Sequence, residues 1–224
     1  MKRPLISISI ILFLSSLFLL PPVEAQEKKR AAFYQGTSVG AEVFGLMNKA
    51  LGSDFKSAEA IVQINLKNRY MPVAEIGYGT TDVTNDKTNI HYKAASPYVR
   101  IGMDYNTMHK KPHLPGYIFV GGRIGHTSFA YDVDAPDLQD PIWKGLSIPF
   151  AHRNVKTNVT WIEIVVGVKT HILKGFHMGW SMRYRSRLNM KENENSAPYY
   201  VPGFGKNGKS SFGLTYHLTY HLPF

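Results

Sequence analysis

The sequence predicts an all-β protein, an eight-stranded antiparallel up-and-down transmembrane β-barrel. Three observations lead to this expectation. Apolar and polar residues alternate along several segments that reach the roughly 9–11 residues a tilted strand needs to cross a bilayer. After residue 25, no stretch approaches the 18 or so uncharged apolar residues expected of a membrane-spanning helix. The first 25 residues have the pattern of an export signal.

The amino-terminal segment carries Lys2 and Arg3, then an apolar run over residues 5–20. Two prolines end the run, and Val23 and Ala25 supply the small residues of a signal peptidase site. We expect cleavage after Ala25, which leaves residues 26–224 as one barrel domain. The 224-residue chain has no cysteine, so a disulfide scaffold, a cysteine zinc site, a thiol enzyme and a lipoprotein anchor are excluded. Export without cysteine is typical of a bacterial envelope protein.

The last fifteen residues give the clearest strand. The even positions from Phe212 to Phe224 are large and apolar, whereas the odd positions from Ser211 to His221 are small or polar. Residues 176–190 repeat the pattern, with three arginines on the polar face. Such a period of two indicates a strand with one face in apolar surroundings and the other in polar surroundings.

Six further segments complete the predicted eight: residues 37–47, 57–67, 71–83, 97–105, 117–131 and 158–172. Tight turns are predicted at 67–69 and 173–175. Long links are predicted at 84–95, 132–157 and 191–209, with shorter ones at 48–55 and 106–116. Long and short connections therefore broadly alternate, which is typical of outer-membrane barrels.

The polar faces combine glycine with arginine and glutamate, which suits the cramped interior of a narrow barrel better than a solvated surface. Aromatic residues near strand ends are predicted to form interfacial girdles: Tyr70, Tyr117, Phe129, Tyr131 and Tyr184. An interior of eight strands is just wide enough to be filled by side chains, and buried charges must pair. We therefore predict a closed lumen with a charge network made by Glu42, Glu59, Glu75, Arg100, Arg123, Glu163, Arg183, Arg185 and Arg187, joined by Asp104 and Lys169.

The strand that ends at Phe224 resembles the carboxyl-terminal signature of bacterial outer-membrane proteins, which the barrel assembly machinery reads. The eight-strand pattern resembles the small barrels of the OmpA and OmpX type. The leader and length resemble outer-membrane proteins of the Bacteroidota. The resemblance implies a monomer in a Gram-negative outer membrane, in contact with outer-membrane lipid and lipopolysaccharide.

These features favour a structural or surface-interaction role and argue against a wide porin. One alternative is a lipid A-modifying hydrolase using His126 and Ser128, which share a strand face as a base and a nucleophile would. The pair resembles the core of the lipid A deacylase barrels, although Phe129 stands where that family has asparagine and no acid partner is assignable. The other alternative is a soluble secreted β-barrel that encloses an apolar ligand and has its faces reversed.

The remaining motifs predict no cofactor and no metal. Residues 203–210 match the phosphate-binding pattern GxxxxGK[ST], but a strand rather than a helix follows, so we interpret them as a basic surface loop. His217 and His221 lie about 13 Å apart along a strand, too far to share one ion. The net charge of +10 is assigned to contact with lipopolysaccharide phosphates rather than nucleic acid. The basic residues in this group include Lys87, Lys110, Lys111, Arg153, Lys206 and Lys209.

Overall fold

A computed structural model describes residues 32–45, 55–139, 147–191, 193 and 196–222. The predicted signal peptide and the final Pro223 and Phe224 lie outside these residues. The described residues form ten strands: β1 (Tyr34–Glu42), β2 (Phe55–Leu66), β3 (Tyr70–Thr84), β4 (His91–Asn106), β5 (Gly116–Gln139), β6 (Ser147–Leu173), β7 (Phe176–Met190), β8 (Tyr200–Val201), β9 (Gly205–Lys206) and β10 (Ser210–His221).

Eight of the strands close into one barrel in the order β1-β10-β7-β6-β5-β4-β3-β2, and every neighbouring pair is antiparallel. The predicted eight-stranded up-and-down barrel is thus confirmed. The short strands β8 and β9 pair only with each other. The closing seam between β1 and β10 is short and runs from the Ser38–His221 pair to the Glu42–His217 pair.

The connections differ between the two ends of the barrel. At one end, which we call the short-turn end, the strands are joined through residues 67–69, 107–115 and 174–175. Gly175 at φ +81° and Lys67 and Asn68 near φ +54° provide the left-handed backbone that tight turns between paired strands require. At the opposite, long-loop end the connections are residues 43–54, 85–90, 140–146 and 191–209.

The barrel wall is higher on one side. Strands β5 and β6 have 24 and 27 residues, whereas β1 and β10 have 9 and 12. The predicted long link over residues 132–157 is therefore wrong, because pairing continues to Gln139 and Ser147. Polar residues such as Asp132, Asp134 and Arg153 break the apolar alternation there, while the backbone ladder does not depend on side-chain polarity. The first strand also ends earlier than predicted, at Glu42.

Side chains alternate between the two faces along most of the wall. Outward-facing Ile76, Ile101, Ile164 and Phe212 are each more than half exposed. The main apolar cluster lies inside the long-loop half of the barrel and comprises Tyr92, Ala94, Tyr98, Phe129, Tyr131, Val159, Trp161, Val201 and Phe204. Among the described residues, no helix is long and apolar enough to span a membrane.

Three aromatic residues predicted for the interfacial girdles lie inside instead. Phe129 and Tyr131 are buried in the apolar cluster, and the Tyr117 hydroxyl contacts the Met71 sulfur across the interior at 3.1 Å. All three are odd-numbered positions of β5 and therefore share the inward face of Arg123. That part of the girdle prediction was wrong because strand ends were considered without the parity of the strand.

Candidate functional site: the barrel interior

Most of the charged residues predicted for the lumen meet near the middle of the barrel, and these come from six strands. Register places Glu75 of β3 opposite Arg100 of β4. It also places Glu163 of β6 beside Arg123 of β5 on one side and Arg185 of β7 on the other. Because the interior is narrow, side chains from opposite walls also reach one another. We call this set the charge layer: Glu59, Glu75, Glu163 and Asp104 with Arg100, Arg123, Arg183 and Arg185.

Glu75 lies at the centre of the charge layer. Its carboxylate oxygens are 2.8 Å from Arg100 Nη1, 3.2 Å from Arg123 Nε and 2.7 Å from Arg183 Nη1. Arg183 crosses the lumen from β7, and its side chain has no solvent exposure. A carboxylate held by three guanidinium groups has most of its acceptor capacity used, which is the condition for burying a charge at tolerable cost.

The other carboxylates of the charge layer are held similarly. Glu163 Oε1 is 2.9 Å from Arg100 Nε and accepts a hydrogen bond from Trp161 Nε1 at 2.7 Å. Glu59 pairs with Arg100 and Arg183 and accepts from the Tyr98 hydroxyl, while Asp104 pairs with Arg123 at 3.1 Å. Four carboxylates thus face four guanidinium groups, so the charge layer is electrically balanced.

Three predicted members lie outside the layer: Lys169, on the short-turn side, and Glu42 and Arg187, on the long-loop side. Glu42 accepts a hydrogen bond from the backbone N–H of Gly45 at 2.8 Å, and the described residues place no cation within ion-pair distance of it. Arg187 donates to Asn207 Oδ1 at 2.6 Å. Both side chains face the interior, but they bind the connections at the long-loop end rather than opposite charges.

The connection between β7 and β10 folds back into the barrel. We call residues 199–207 the plug; within it, Val201 and Phe204 have no solvent exposure, and Phe204 packs edge-on against Trp161 with 5.9 Å between ring centroids. Arg100 donates to the carbonyl of Gly203 and Arg185 to that of Phe204, each at 3.0 Å. The plug is thereby tied directly to the charge layer.

The interpretation of residues 203–210 as a surface loop is therefore wrong for its first two residues. Gly203 has φ +80°, and a Cβ there would lie 2.5 Å from the Tyr98 ring. Its carbonyl accepts from an arginine, so this glycine serves close packing rather than phosphate binding. The sequence signal that could have revealed the plug is the presence of Val201 and Phe204 in a link otherwise rich in proline, glycine and polar residues.

Two cavities flank the charge layer. One of about 480 Å³ lies between the plug and strands β1, β2 and β10 and is bordered by Glu59, Arg100 and Arg185. The other, of about 380 Å³, opens at the short-turn end. A small space of about 20 Å³, next to Asp104 and Arg123, lies between side chains at the level that separates them.

One group of side chains inside the barrel has the donor types of a metal site. Donor atoms of Glu59, Glu75 and His217 lie within 4.8 Å of one another. Guanidinium nitrogens already occupy their surroundings, since Arg183 Nη2 is 3.1 Å from both His217 Nε2 and Glu75 Oε1. His221 lies farther along β10, with its Nδ1 3.3 Å from Ser38 Oγ. This arrangement favours ion pairs over metal binding.

A family model described as "Domain of unknown function (DUF6048)" matches residues 3–224. The chain belongs to this family. No curated protein matches the sequence. Two crystal structures are similar to it: Neisserial surface protein A (NspA), at 10% identity and a TM-score of 0.37, and Acinetobacter baumannii CarO2, at 7% identity and a TM-score of 0.40. The first match covers 84% of this chain and 96% of that protein, and the second covers 85% and 99%.

The candidate catalytic pair lies on the outer face of the barrel. His126 and Ser128 are both exposed on β5. His126 Nδ1 is 2.9 Å from Thr160 Oγ1 on β6, and the described residues include no hydrogen bond between His126 and Ser128. The two residues therefore share a face, as predicted, but are not hydrogen-bonded to each other as a catalytic base and nucleophile would be.

The basic residues predicted to meet lipopolysaccharide do not share one end. Lys110 and Lys111 belong to the connection at the short-turn end, whereas Lys87, Lys206 and Lys209 lie at the long-loop end. Arg153 is on the high part of β6 and pairs with Asp134 at 3.4 Å. Lys87, Lys206 and Lys209 can therefore contact one surface, whereas Lys110 and Lys111 lie at the opposite end of the barrel.

Proposed function

We propose that the chain is an integral outer-membrane barrel with a closed lumen, which acts at the membrane surface and conducts no solutes. The observation that carries this proposal is the continuous apolar band around the outside of the barrel. Residues in this band include Ile76, Ile101, Ile124, Ile164, Met182 and Leu214, all at least half exposed. A soluble monomer exposes apolar patches of only a few hundred Å².

The height of the band fits a membrane. On β6 the outward face is apolar from Ile162 to Ile172, apart from Thr170. Ten residue steps of about 3.3 Å at a tilt near 40° correspond to about 25 Å along the barrel axis, the height of the lipid-facing band of outer-membrane barrels. Beyond Ile162 the outward residues become polar, beginning with Thr160 and Asn158.

An aromatic border supports the same position for the short-turn edge of the band. Tyr70 and Tyr105 lie 5.7 Å apart there, with the Arg69 guanidinium 5.1 and 5.4 Å from their centroids. Phe176 and Tyr220 pack 4.9 Å apart on the far side. Tyrosine rings with nearby cations are typical of the headgroup level. By the usual arrangement of such barrels, the short turns would face the periplasm.

A closed lumen is supported by two successive barriers. The charge layer lies across the middle of the barrel, and the plug occupies part of the long-loop half above it. The high wall of β5 and β6 has more than twice the residues that a bilayer crossing needs. We propose that this wall and the basic long loops are the parts that meet lipopolysaccharide and other surface partners, and that the strand ending at Phe224 engages the barrel assembly machinery.

The first test is expression of the full-length chain in a Gram-negative host, followed by electrophoresis of the outer-membrane fraction with and without boiling. Folded barrels resist SDS, so we expect a band that shifts on heating. Recovery of the folded protein from the periplasmic soluble fraction would contradict the proposal and favour the soluble ligand-binding barrel.

A pair of variants tests more sharply whether the outer face of β6 contacts lipid or water. Ile164→Arg places a charge in the middle of the band, and we expect it to lower the free energy of unfolding by about 2–4 kcal/mol in lipid vesicles. Asn158→Arg, on the same face of β6 but beyond the band, is the matched control and should change it by less than about 0.5 kcal/mol. Equal stability of the two variants would indicate that both positions face water.

Planar bilayer recordings test the closed lumen. We expect the purified barrel to add no steady conductance, whereas a porin reconstituted in parallel conducts. A lasting conductance of porin size would contradict the proposal.

The second candidate is a lipid A hydrolase. Its support is the position of His126 and Ser128, which face outward just beyond the apolar band, at the level of lipid headgroups. If Ser128 were the nucleophile, Ser128→Ala would abolish a change in lipid A acylation that the wild-type chain produces. We expect the same acylation profile with either protein, because His126 is hydrogen-bonded to Thr160 rather than to Ser128.

A further inference from the structure

The cavity of about 380 Å³ at the short-turn end is lined by many polar side chains, although it lies inside the barrel. Strands from around the barrel form its walls, and residues 108–115 of the connection between β4 and β5 lie across its mouth. At roughly 30 Å³ per water molecule it holds about a dozen waters, and it falls in the size range of small-molecule sites.

The side chains that line this cavity are rich in hydrogen-bond donors and poor in negative charge. They include two lysines, three histidines and five side-chain amides, and no aspartate or glutamate is among them. The histidines form a row, with ring centroids 5.2 Å apart for His171 and His177 and 6.2 Å apart for His177 and His221. Ammonium, imidazole and amide N–H groups together are suited to binding oxyanions.

Lys169 is an interior positive charge that the charge layer does not neutralise. It is only 7% exposed, and its ammonium donates to the neutral Gln63 Oε1 at 2.6 Å. In the part of the chain that the structure describes, no carboxylate lies within ion-pair distance of it. The nearest acid of the charge layer, Asp104, accepts from Gln63 Nε2 at 3.3 Å and is already paired with Arg123. Since the charge layer balances within itself, the charge of Lys169 is left without an opposite charge.

We propose that this cavity is a binding site for a small anion bearing a carboxylate or phosphate group, with Lys169 as its counter-charge. The ligand enters from the short-turn mouth, where Lys111 adds a second positive charge at the rim. Gln63 fixes the ammonium, and Ser38, hydrogen-bonded to His221, lies on the same wall. The ligand is retained rather than passed on, because the charge layer closes the interior beyond Lys169.

The test uses the folded full-length barrel in an uncharged detergent, titrated calorimetrically with inorganic phosphate and, separately, with citrate. Ionic strength is held constant with chloride. We expect saturable binding of at least one probe. Binding of phosphate alone assigns a phosphate-bearing ligand, and binding of citrate alone assigns a carboxylate.

Three variants locate the binding. We expect Lys169→Met to weaken it at least tenfold, while Lys206→Met, which removes an exposed lysine of the plug, leaves it unchanged. Lys111→Glu alters an exposed rim residue, so it is expected to fold even where Lys169→Met does not, and it should also weaken binding at least tenfold. The heat-dependent gel shift confirms folding of each variant. No saturable binding by the folded wild-type barrel, or equal affinity in Lys111→Glu and the wild type, would overturn the proposal.

Discussion

The two halves of the lumen are lined by different chemistry. On the long-loop side of the charge layer, Tyr98, Phe129, Trp161 and Phe204 form an apolar core beside the cavity of about 480 Å³. On the short-turn side, amides and histidines surround a cavity large enough for water. The charged side chains between them are themselves buried, so water cannot readily compensate a group that loses its partner. The comparison teaches that substitutions in the charge layer and plug should be costly, and that those in the amide-lined half should not.

The largest effect is expected for Glu75→Gln. Removing this charge leaves Arg100, Arg123 and Arg183 short of a partner, and breaking a buried ion pair costs about 3–5 kcal/mol. Gln35→Ala in the amide-lined half is the matched control and should cost less than about 0.5 kcal/mol. Urea midpoints of the two variants in lipid vesicles measure the difference. Similar midpoints would mean that water reaches the charge layer.

A smaller effect is expected for Arg185→Ala, about 2–3 kcal/mol, because this residue pairs with a single carboxylate and its side chain retains 11% exposure. It also releases the carbonyl of Phe204. Lys209→Ala, at an exposed position beyond the plug, should be neutral. Equal urea midpoints for these two variants would contradict the inward position of Arg185.

The plug itself is tested by Gly203→Ala, for which we expect a loss of about 1–2 kcal/mol from the left-handed backbone alone. Crowding against Tyr98 adds to this loss. Gly208→Ala is the control, because a Cβ there meets nothing closer than the Ser210 carbonyl at 3.5 Å. If thermal unfolding in detergent separates wild type, Gly203→Ala and Gly208→Ala by no measurable amount, the plug does not contribute to the stability of the barrel.

The smallest effect is expected at the exposed rim beyond the apolar band. Asp82 and His91 lie 2.8 Å apart, and this hydrogen bond holds the pKa of Asp82 below its usual value. A lowered carboxyl pKa contributes stability at pH above the unfolded value near 4, which is lost as the pH falls through the folded pKa. Because Asp82 is well exposed, Asp82→Asn should cost less than about 1 kcal/mol at neutral pH. Unfolding midpoints at pH 7 and pH 3 should differ from wild type only at pH 7.

Much of this fold can be predicted from residue parity, that is, from which side chains stand at odd and at even positions of a strand. The alternation from Phe212 to Leu222 predicts which face of β10 is apolar, and the same parity places Glu75, Arg100 and Arg183 inside the barrel. Charges on the inward faces of so narrow a barrel lie close to one another, so the members of the charge layer were predictable. Glu42, Lys169 and Arg187 were predicted with them but bind neutral partners instead. Their pairing was not: Glu75 and Arg183 are 108 positions apart and meet through closure of the barrel, which no local pattern encodes.

Two regions escaped prediction for different reasons. The upper parts of β5 and β6 lie beyond the apolar band, where both faces carry polar residues and the period of two disappears although the ladder continues. The plug carries turn residues, and turn chemistry indicates a change of direction without indicating whether the loop turns outward or inward. Only the burial of Val201 and Phe204 decides that question, and burial depends on the space that β4 to β6 leave between them.

The shortness of the β1–β10 ladder has a consequence for the order of assembly. It joins residues about 180 positions apart through a seam of a few residues, whereas β5 and β6 are separated by only seven residues in sequence and share a ladder several times longer. Loop-closure entropy must be overcome before distant strands gain from pairing, so local hairpins form early and this seam forms last. Because this seam forms last and has few paired residues, we expect it also to open first. The β1–β10 seam is therefore where we expect neighbouring strands of the folded barrel to separate first.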